Sequence, residues 1–157
     1  MRIGHGFDSH RFSEDPDRPC VLGGVLFEGE IGLHGHSDAD AVAHAVIDAI
    51  LAAAGLGDIG QHFPDTDPAW KGADSMRLLA TAVAEVIEAG WVVVNVDCTV
   101  VAERPKLAPR RAEMQAKLTE LVGAPVTVKG KTAEGLGDLG RGLGVECHAV
   151  ALLRAVD

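Results

Sequence analysis

The stretch SDADAVAHAVIDAILAAAG, residues 37–55, constrains this chain more than any other. Val42, Val46, Ile47, Ile50 and Leu51 recur at helical spacing, Ser37 or Asp38 is placed to cap the first turn, and Gly55 to stop the last. A helix with such an apolar stripe needs a surface to bury it, and the flanking segments supply strands. Residues 1–7 and 20–34 read as short strands with Gly-rich turns, and WVVVNVDCTVVAE is too dense in β-branched residues for a preferred helix. A second helix is predicted over DSMRLLATAVAEVIEAG, with Asp74 or Ser75 as cap, Leu78, Leu79, Ala82, Val83, Val86 and Ile87 as stripe, and Gly90 as terminator. A third runs from near Pro109 to Gly123, and PVTVKGK and VECHAVALLR form two further strands joined by the loop TAEGLGDLGRGLG. Strand pairs that need not be parallel, interspersed with helices, predict an α+β fold: a mixed β-sheet with helices packed on one face.

No repeat or linker interrupts the 157 residues, so one domain over 1–157 is expected. Hydrophobic residues are 47% and charged residues 24%, and no apolar run reaches the roughly 18 residues a spanning helix needs, so neither disorder nor a membrane class is favoured. The N-terminus lacks the apolar stretch of a secretory signal, and Cys20, Cys98 and Cys147 are an odd, widely spaced set, so a reducing cytoplasm is the expected location. A net charge of -9 argues against nucleic-acid binding, and any anionic substrate has to find local positive charge.

His5, His10, His34, His36, His44 and His62 all fall in the first 62 residues, and only His148 lies outside, which a metal site explains economically. In FDSHRF, Asp8 and His10 project to one side if the segment is extended, so a carboxylate and an imidazole can converge on one ion. His44, an imidazole among alanines, is the candidate third ligand, with Asp40 or Asp48, one turn to either side, placed to orient its second nitrogen. One carboxylate and two histidines suit Zn²⁺ with an open fourth position; His5, His34 and His36 compete for the ligand roles. HGHSDAD runs into a helix N-terminus, which favours a phosphate, although Ser37 as a simple cap, with Asp40 in a capping box, accounts for the same residues. Asp58, Asp65 and Asp67 in GDIGQHFPDTDP could hold ribose hydroxyls or a cation, or serve the turns there.

Gly135, Gly137 and Gly140 spell GxGxxG, but no βαβ unit can follow in the residues left, so a dinucleotide site is excluded. A phosphate loop around Lys131 and Thr132 fails as well, since Pro125 stands where its first glycine belongs. What survives is a loop with Lys129, Lys131, Thr132, Glu134 and Arg141, a candidate diphosphate cradle in which Glu134 could hold a divalent cation. ERPKLAP places Lys106 in a Pro-stiffened turn that could read a base edge or stand solvated.

Taken together, RIGHGFDSHRF, HSDADAVAHAVIDAIL, LGDIGQHFPDTDPAWKGADS, NVDCTVVAERPKLAP, VKGKTAEGLG and GRGLG resemble, nearly end to end, the 2-C-methyl-D-erythritol 2,4-cyclodiphosphate synthase family of the non-mevalonate isoprenoid pathway. The resemblance implies a phosphorus–oxygen lyase that cyclises 4-diphosphocytidyl-2-C-methyl-D-erythritol 2-phosphate by attack of its own 2-phosphate on the β-phosphorus, releasing CMP. It implies zinc on Asp8, His10 and His44, and Mg²⁺ or Mn²⁺ on Glu134, with Asp8, His44 and Thr132 as catalytic positions. His36 and Ser37 would contact the erythritol phosphate, Asp58 and Gly60 the sugar hydroxyls, Ala102, Pro105, Lys106 and Leu107 the cytosine, and Thr132 the diphosphate. Phe63, Asp65, Asp67 and Arg141 complete the implied substrate-binding set. The implied assembly is a homotrimer with sheets facing its axis and active sites between subunits. Ala133, Asp138 and His148 depart from the residues relatives commonly carry, the last two where some relatives hold an isoprenoid diphosphate. A zinc hydrolase and a non-catalytic metal-binding scaffold are the rival readings.

Overall fold

The computed structural model describes residues 1–156. The elements in chain order are β1 (Arg2–Arg11), β2 (Val21–Leu22), β3 (Val25–Leu26), α1 (Ala41–Ala54), α2 (Ile59–His62), α3 (Ser75–Glu88), β4 (Trp91–Val101), α4 (Arg111–Val122), β5 (Val126–Lys131), α5 (Gly137–Gly140) and β6 (Gly144–Ala155), with a 3-10 turn at Pro68–Trp70. Four strands form one mixed sheet in the order β1-β6-β4-β5, antiparallel except between β4 and β5; β2 and β3 pair separately.

Alternate residues place the core on one side of this sheet. Val145, Cys147, Ala149, Ala151 and Leu153 of β6 and Val96, Cys98 and Val100 of β4 are wholly buried, and α1 lies across β1 and β6 while α4 lies beside β5. The other side is open: Ile3, Phe7 and Val150 are 73%, 46% and 45% exposed. The helices therefore cover one face, as expected.

Along β1 the core side carries glycine. A Cβ at Gly4 would stand 2.0 Å from the Ala49 carbonyl oxygen of α1, and one at Gly6 1.9 Å from that of Ala45. Helix and strand meet backbone to backbone, with alanines filling the helix side. The strand reaches Arg11, beyond the expected residues 1–7, because its inward positions are two glycines followed by the polar Asp8 and His10, which leave no apolar alternation to read.

The expected helix over 37–55 starts later, at Ala41, and its cap is Asp40 rather than Ser37 or Asp38. The Asp40 carboxylate accepts from the N–H groups of Val42 and Ala43 at 3.1 Å and from those of Gly23 and Gly24 at 2.8 and 2.7 Å. One buried acid thus caps α1 and anchors the β2–β3 turn, whose short strands and Gly23–Gly24 connection match the short strands and Gly-rich turns expected in 20–34. The capping-box reading fails because Asp40 is itself the cap. Gly55 closes α1 in the left-handed region, and Asp74 caps α3, both as predicted. Helix α4 begins at Arg111, two residues after Pro109, and the loop 132–144 contains the short turn α5.

Candidate active site

The β1–α1 seam aims the site. Asp8 and His10 share a face with Gly4 and Gly6, so they continue along α1 toward its N-terminus, where His44 lies. Asp8 Oδ2 is 2.9 Å from His10 Nε2 and 3.0 Å from His44 Nδ1, and the two ring nitrogens are 3.3 Å apart. Among the described residues these three form the one group of acids, histidines or cysteines close enough to share a metal ion. His10 Nδ1 lies 2.7 Å from the carbonyl oxygen of His34, which can only accept, so Nδ1 carries a hydrogen and Nε2 is left to a proton or a metal. A Cβ at Gly35 would press the His10 ring at 3.1 Å, so glycine there gives the imidazole its seat.

Burial alone would push the Asp8 carboxyl up, but hydrogen bonds and attraction from His10 and His44 outweigh it and hold the group well below the usual carboxylate range. Burial likewise opposes the charged form of His10, yet the bond and charge of Asp8 leave its pKa raised. A carboxylate and two imidazoles within 3.3 Å of one another are a donor set for a cation, which would bind in competition with protons.

Over the triad opens a cleft of about 800 Å³ whose lining includes His34, His36, Ser37, Gly60, Phe63, Asp65 and Trp70. Phe63 and Trp70 meet edge to face at 5.2 Å, giving it an apolar wall. Arg18 holds the loop at its rim, donating to the carbonyls of Leu33, Gly35 and Ser37. His62 contacts the Leu56 carbonyl at 2.8 Å and Glu85 Oε2 at 2.6 Å, tying the segment that carries Gly60 and Phe63 to α3.

A second cleft, of about 200 Å³, is lined by residues that include Ala102, Pro105, Lys106, Leu107, Arg111, Lys131 and Thr132. Its two loops are bound together: Ala102 N–H donates to the Lys131 carbonyl at 2.9 Å and Ala133 N–H to Glu103 Oε1 at 3.1 Å. At its edge Thr132 Oγ1 donates to Glu134 Oε1 at 2.5 Å. The two clefts share no lining residue.

The YgbB family profile matches residues 1–154. This chain belongs to the YgbB family. The YgbB chain is 51% identical over 156 residues to the 2-C-methyl-D-erythritol 2,4-cyclodiphosphate synthase of Trichlorobacter lovleyi, covering 98% of each. It is 58% identical over 98% of its length to the bifunctional enzyme IspD/IspF of Anaeromyxobacter dehalogenans, and there it spans 40% of the relative's length. A solved structure of 2C-methyl-D-erythritol-2,4-cyclodiphosphate synthase in a CDP-bound form superimposes with a TM-score of 0.87 at 41% identity, over 98% of this chain and 100% of that one.

In this YgbB protein the residues singled out in the sequence divide between the two clefts. Asp8, His10, His36, Ser37, His44, Gly60, Phe63 and Asp65 surround the first; Ala102, Pro105, Lys106, Leu107 and Thr132 line the second. Asp58 caps α2 through Gln61 N–H, and Asp67 caps the 3-10 turn through Ala69 N–H, while its carbonyl oxygen lies 3.3 Å from His36 Nε2. The diphosphate cradle is less free than expected, since Lys129 pairs with Asp97 and Arg141 with Asp138. The GxGxxG run serves a turn: a Cβ at Gly140 would stand 2.2 Å from the Gly135 carbonyl carbon. Neither Asp40 nor Asp48 reaches His44. Asp40 is occupied as described, Asp48 accepts Ile59 N–H at 2.8 Å, and His44 Nε2 turns instead to Ser75 Oγ at 2.8 Å and Ser37 Oγ at 3.2 Å. Ser75, Arg18 and the His34 carbonyl carry no local sequence signal; they are brought in by tertiary packing.

Proposed function

We propose that this chain is a cytoplasmic 2-C-methyl-D-erythritol 2,4-cyclodiphosphate synthase, a single domain over residues 1–157. It converts 4-diphosphocytidyl-2-C-methyl-D-erythritol 2-phosphate to the cyclic diphosphate with release of CMP. The convergence of Asp8, His10 and His44 beneath the larger cleft carries the reading, in a chain whose full-length relatives bear the synthase's name. Zinc suits this donor set: bonds of about 2.0–2.1 Å in a tetrahedron place ligand atoms about 3.3 Å apart, and the separations here are 2.9, 3.0 and 3.3 Å. When bound, zinc supplies Lewis acidity at a phosphate oxygen.

The nucleophile is the substrate's own 2-phosphate, so the chain's residues bind and orient. His36 and Ser37, at the cleft beside the triad, hold the erythritol phosphate. Asp58, Gly60, Phe63, Asp65 and Asp67 form the sugar side. Ala102, Pro105, Lys106 and Leu107 receive the cytosine, and Thr132 and Arg141 contact the diphosphate, whose second cation, Mg²⁺ or Mn²⁺, is held by Glu134. Fixing both phosphates makes the attack a preorganised intramolecular step. A homotrimer that sets the larger cleft of one copy against the smaller cleft of the next would bring the two halves together, with the sheets toward the axis. Two observations support this assembly: the clefts share no lining residue within one copy, and the sheet has an open, partly apolar face.

Phosphorus NMR of the reaction mixture tests the reading. The expected products are CMP and a cyclic diphosphate, with turnover lost on chelation and restored by Zn²⁺. Uncyclised products would establish a hydrolase instead, and no CDP binding at all would leave a scaffold. Glu134→Gln is expected to raise the Mg²⁺ concentration for half-maximal activity by more than about tenfold; an unchanged response removes Glu134 from its role.

A further inference from the structure

Behind His44 runs a hydrogen-bond chain that the proposed cyclisation does not use. Ser75, the first residue of α3, is fully buried. Its backbone N–H donates to Asp38 Oδ2 at 3.1 Å and its hydroxyl donates to Asp38 Oδ1. A carboxylate only accepts, so the Ser75 hydrogen is committed to Asp38 and Oγ has only lone pairs to offer His44 Nε2 at 2.8 Å. Nε2 must then carry a hydrogen. Nδ1, the atom 3.0 Å from Asp8 Oδ2, is thereby the nitrogen left to face the metal position.

We propose that Asp38 and Ser75 are positioning residues that lock His44 in the tautomer whose Nδ1 lone pair faces the metal position. The proposal rests on the metal reading above and adds residues to it. Ser37 is the natural opponent. Its hydroxyl lies 3.2 Å from the same Nε2, and if it donated there the hydrogen would move to Nδ1 and close the site. Ser37 Oγ already accepts Ala39 N–H at 3.1 Å and has Ser75 Oγ at 3.4 Å as an outlet for its hydrogen. The Ser75 contact is shorter, and its polarity is set by a charge-assisted bond, which is the stronger kind. The local acids cannot substitute, because Asp40 and Asp48 are engaged by backbone N–H groups. The fold secures Asp38 from its other end, where its N–H donates to the Ala73 carbonyl at 3.0 Å. His44 on α1 is thus oriented by the start of α3, a helix that contributes no ligand.

Asp38→Asn tests this with little change of shape. Its amide oxygen can still accept Ser75 N–H, while its NH₂ gives up the 3.2 Å bond that Oδ1 accepts from Asp40 N–H, faces Ser75 Oγ and turns the hydroxyl hydrogen toward His44. Long-range ¹⁵N–¹H NMR on the full-length chain loaded with Zn²⁺ is expected to show the His44 hydrogen on Nε2, slow to exchange with solvent in the wild type and more than about tenfold faster in the variant. Chelator competition with Zn²⁺ alone is expected to show affinity reduced by about 10- to 100-fold in the variant. Should Asp38→Asn not fold, Ser75→Ala takes its place, with the same loss of affinity expected. A wild type whose His44 binds Zn²⁺ through Nε2 overturns the proposal, as does a variant that binds Zn²⁺ within twofold of wild type or melts earlier with its Nε2–H exchange unmoved. A wild type that takes up no zinc sinks the metal reading and this proposal with it, whereas zinc uptake left unchanged by the variant sinks only this proposal.

Discussion

Replacing His44 with alanine is expected to remove both the metal and turnover while leaving the fold in place. Loss of a residue that merely orients a ligand weakens metal binding by about 10- to 100-fold, so loss of one of three ligands should exceed about 100-fold. The helix tolerates the change: Ala43 and Ala45 already flank the site, and alanine is the best helix former. Asp8 feels it, however. Burial pushes its carboxyl up, and the two imidazoles hold it down. A carboxyl lowered on folding stabilises the native state above its ordinary value of 3.8, and that contribution fades as pH falls through the folded value. His10 runs the other way: its raised pKa contributes below its ordinary 6.5 and fades as pH rises through the folded value. In the metal-free chain the Asp8–His10 pair therefore helps most between 3.8 and 6.5. Without His44, Asp8 keeps only one imidazole, and the acid-unfolding midpoint of the metal-free variant should move to higher pH. Elemental zinc analysis, phosphorus NMR and circular dichroism across pH read the three effects. Retained turnover in zinc-free buffer would remove the triad from the mechanism.

Gly6→Ala is expected to be the most destabilising single methyl addition in the chain. Its Cβ would stand 1.9 Å from the Ala45 carbonyl oxygen and 2.7 Å from the Ala49 nitrogen, both backbone atoms of a buried helix. No rotamer change relieves a backbone contact, so strand or helix must shift. Overpacking a core ordinarily costs about 1–3 kcal/mol, and the rigid partners here put the loss at the top of that range or beyond. For a domain of this size that lowers Tm by about 6–12 °C. Zinc affinity should fall with it, because Asp8 is two residues away on the same strand face and moves with the seam. A Gly6→Ala protein that melts with wild type would mean that α1 and β1 stand farther apart than described.

Helices α1 and α3 are legible in the sequence because their signals are local: an apolar stripe, an acid just before it, a glycine or small residue just after. The pairing of Asp8 with His10 is legible for the same reason, and His44 betrays itself as an imidazole in a run of alanines. What orients His44 is not legible. The adjacent acids fit by spacing, but backbone N–H groups claim both, and the partner actually used, Ser75, sits 31 residues along the chain. The full length of β1 is hidden too, since a strand whose inward positions are glycines and then Asp8 and His10 shows no apolar alternation. In the smaller cleft Lys106, Lys131 and Thr132 stand out from their loops alone, whereas Ala102, Pro105 and Leu107 rest on resemblance to a family; Lys129 and Arg141, plausible as anion ligands on charge alone, already have carboxylate partners of their own.

The glycine–alanine contact between β1 and α1 has a consequence for ion choice. Two main chains pressed together without intervening side chains cannot slide or tilt to suit a guest, and they carry all three donor atoms between them. With the metal held as proposed, such a socket would discriminate by radius and preferred geometry, favouring small ions content with four neighbours over large ones that demand six to eight oxygens.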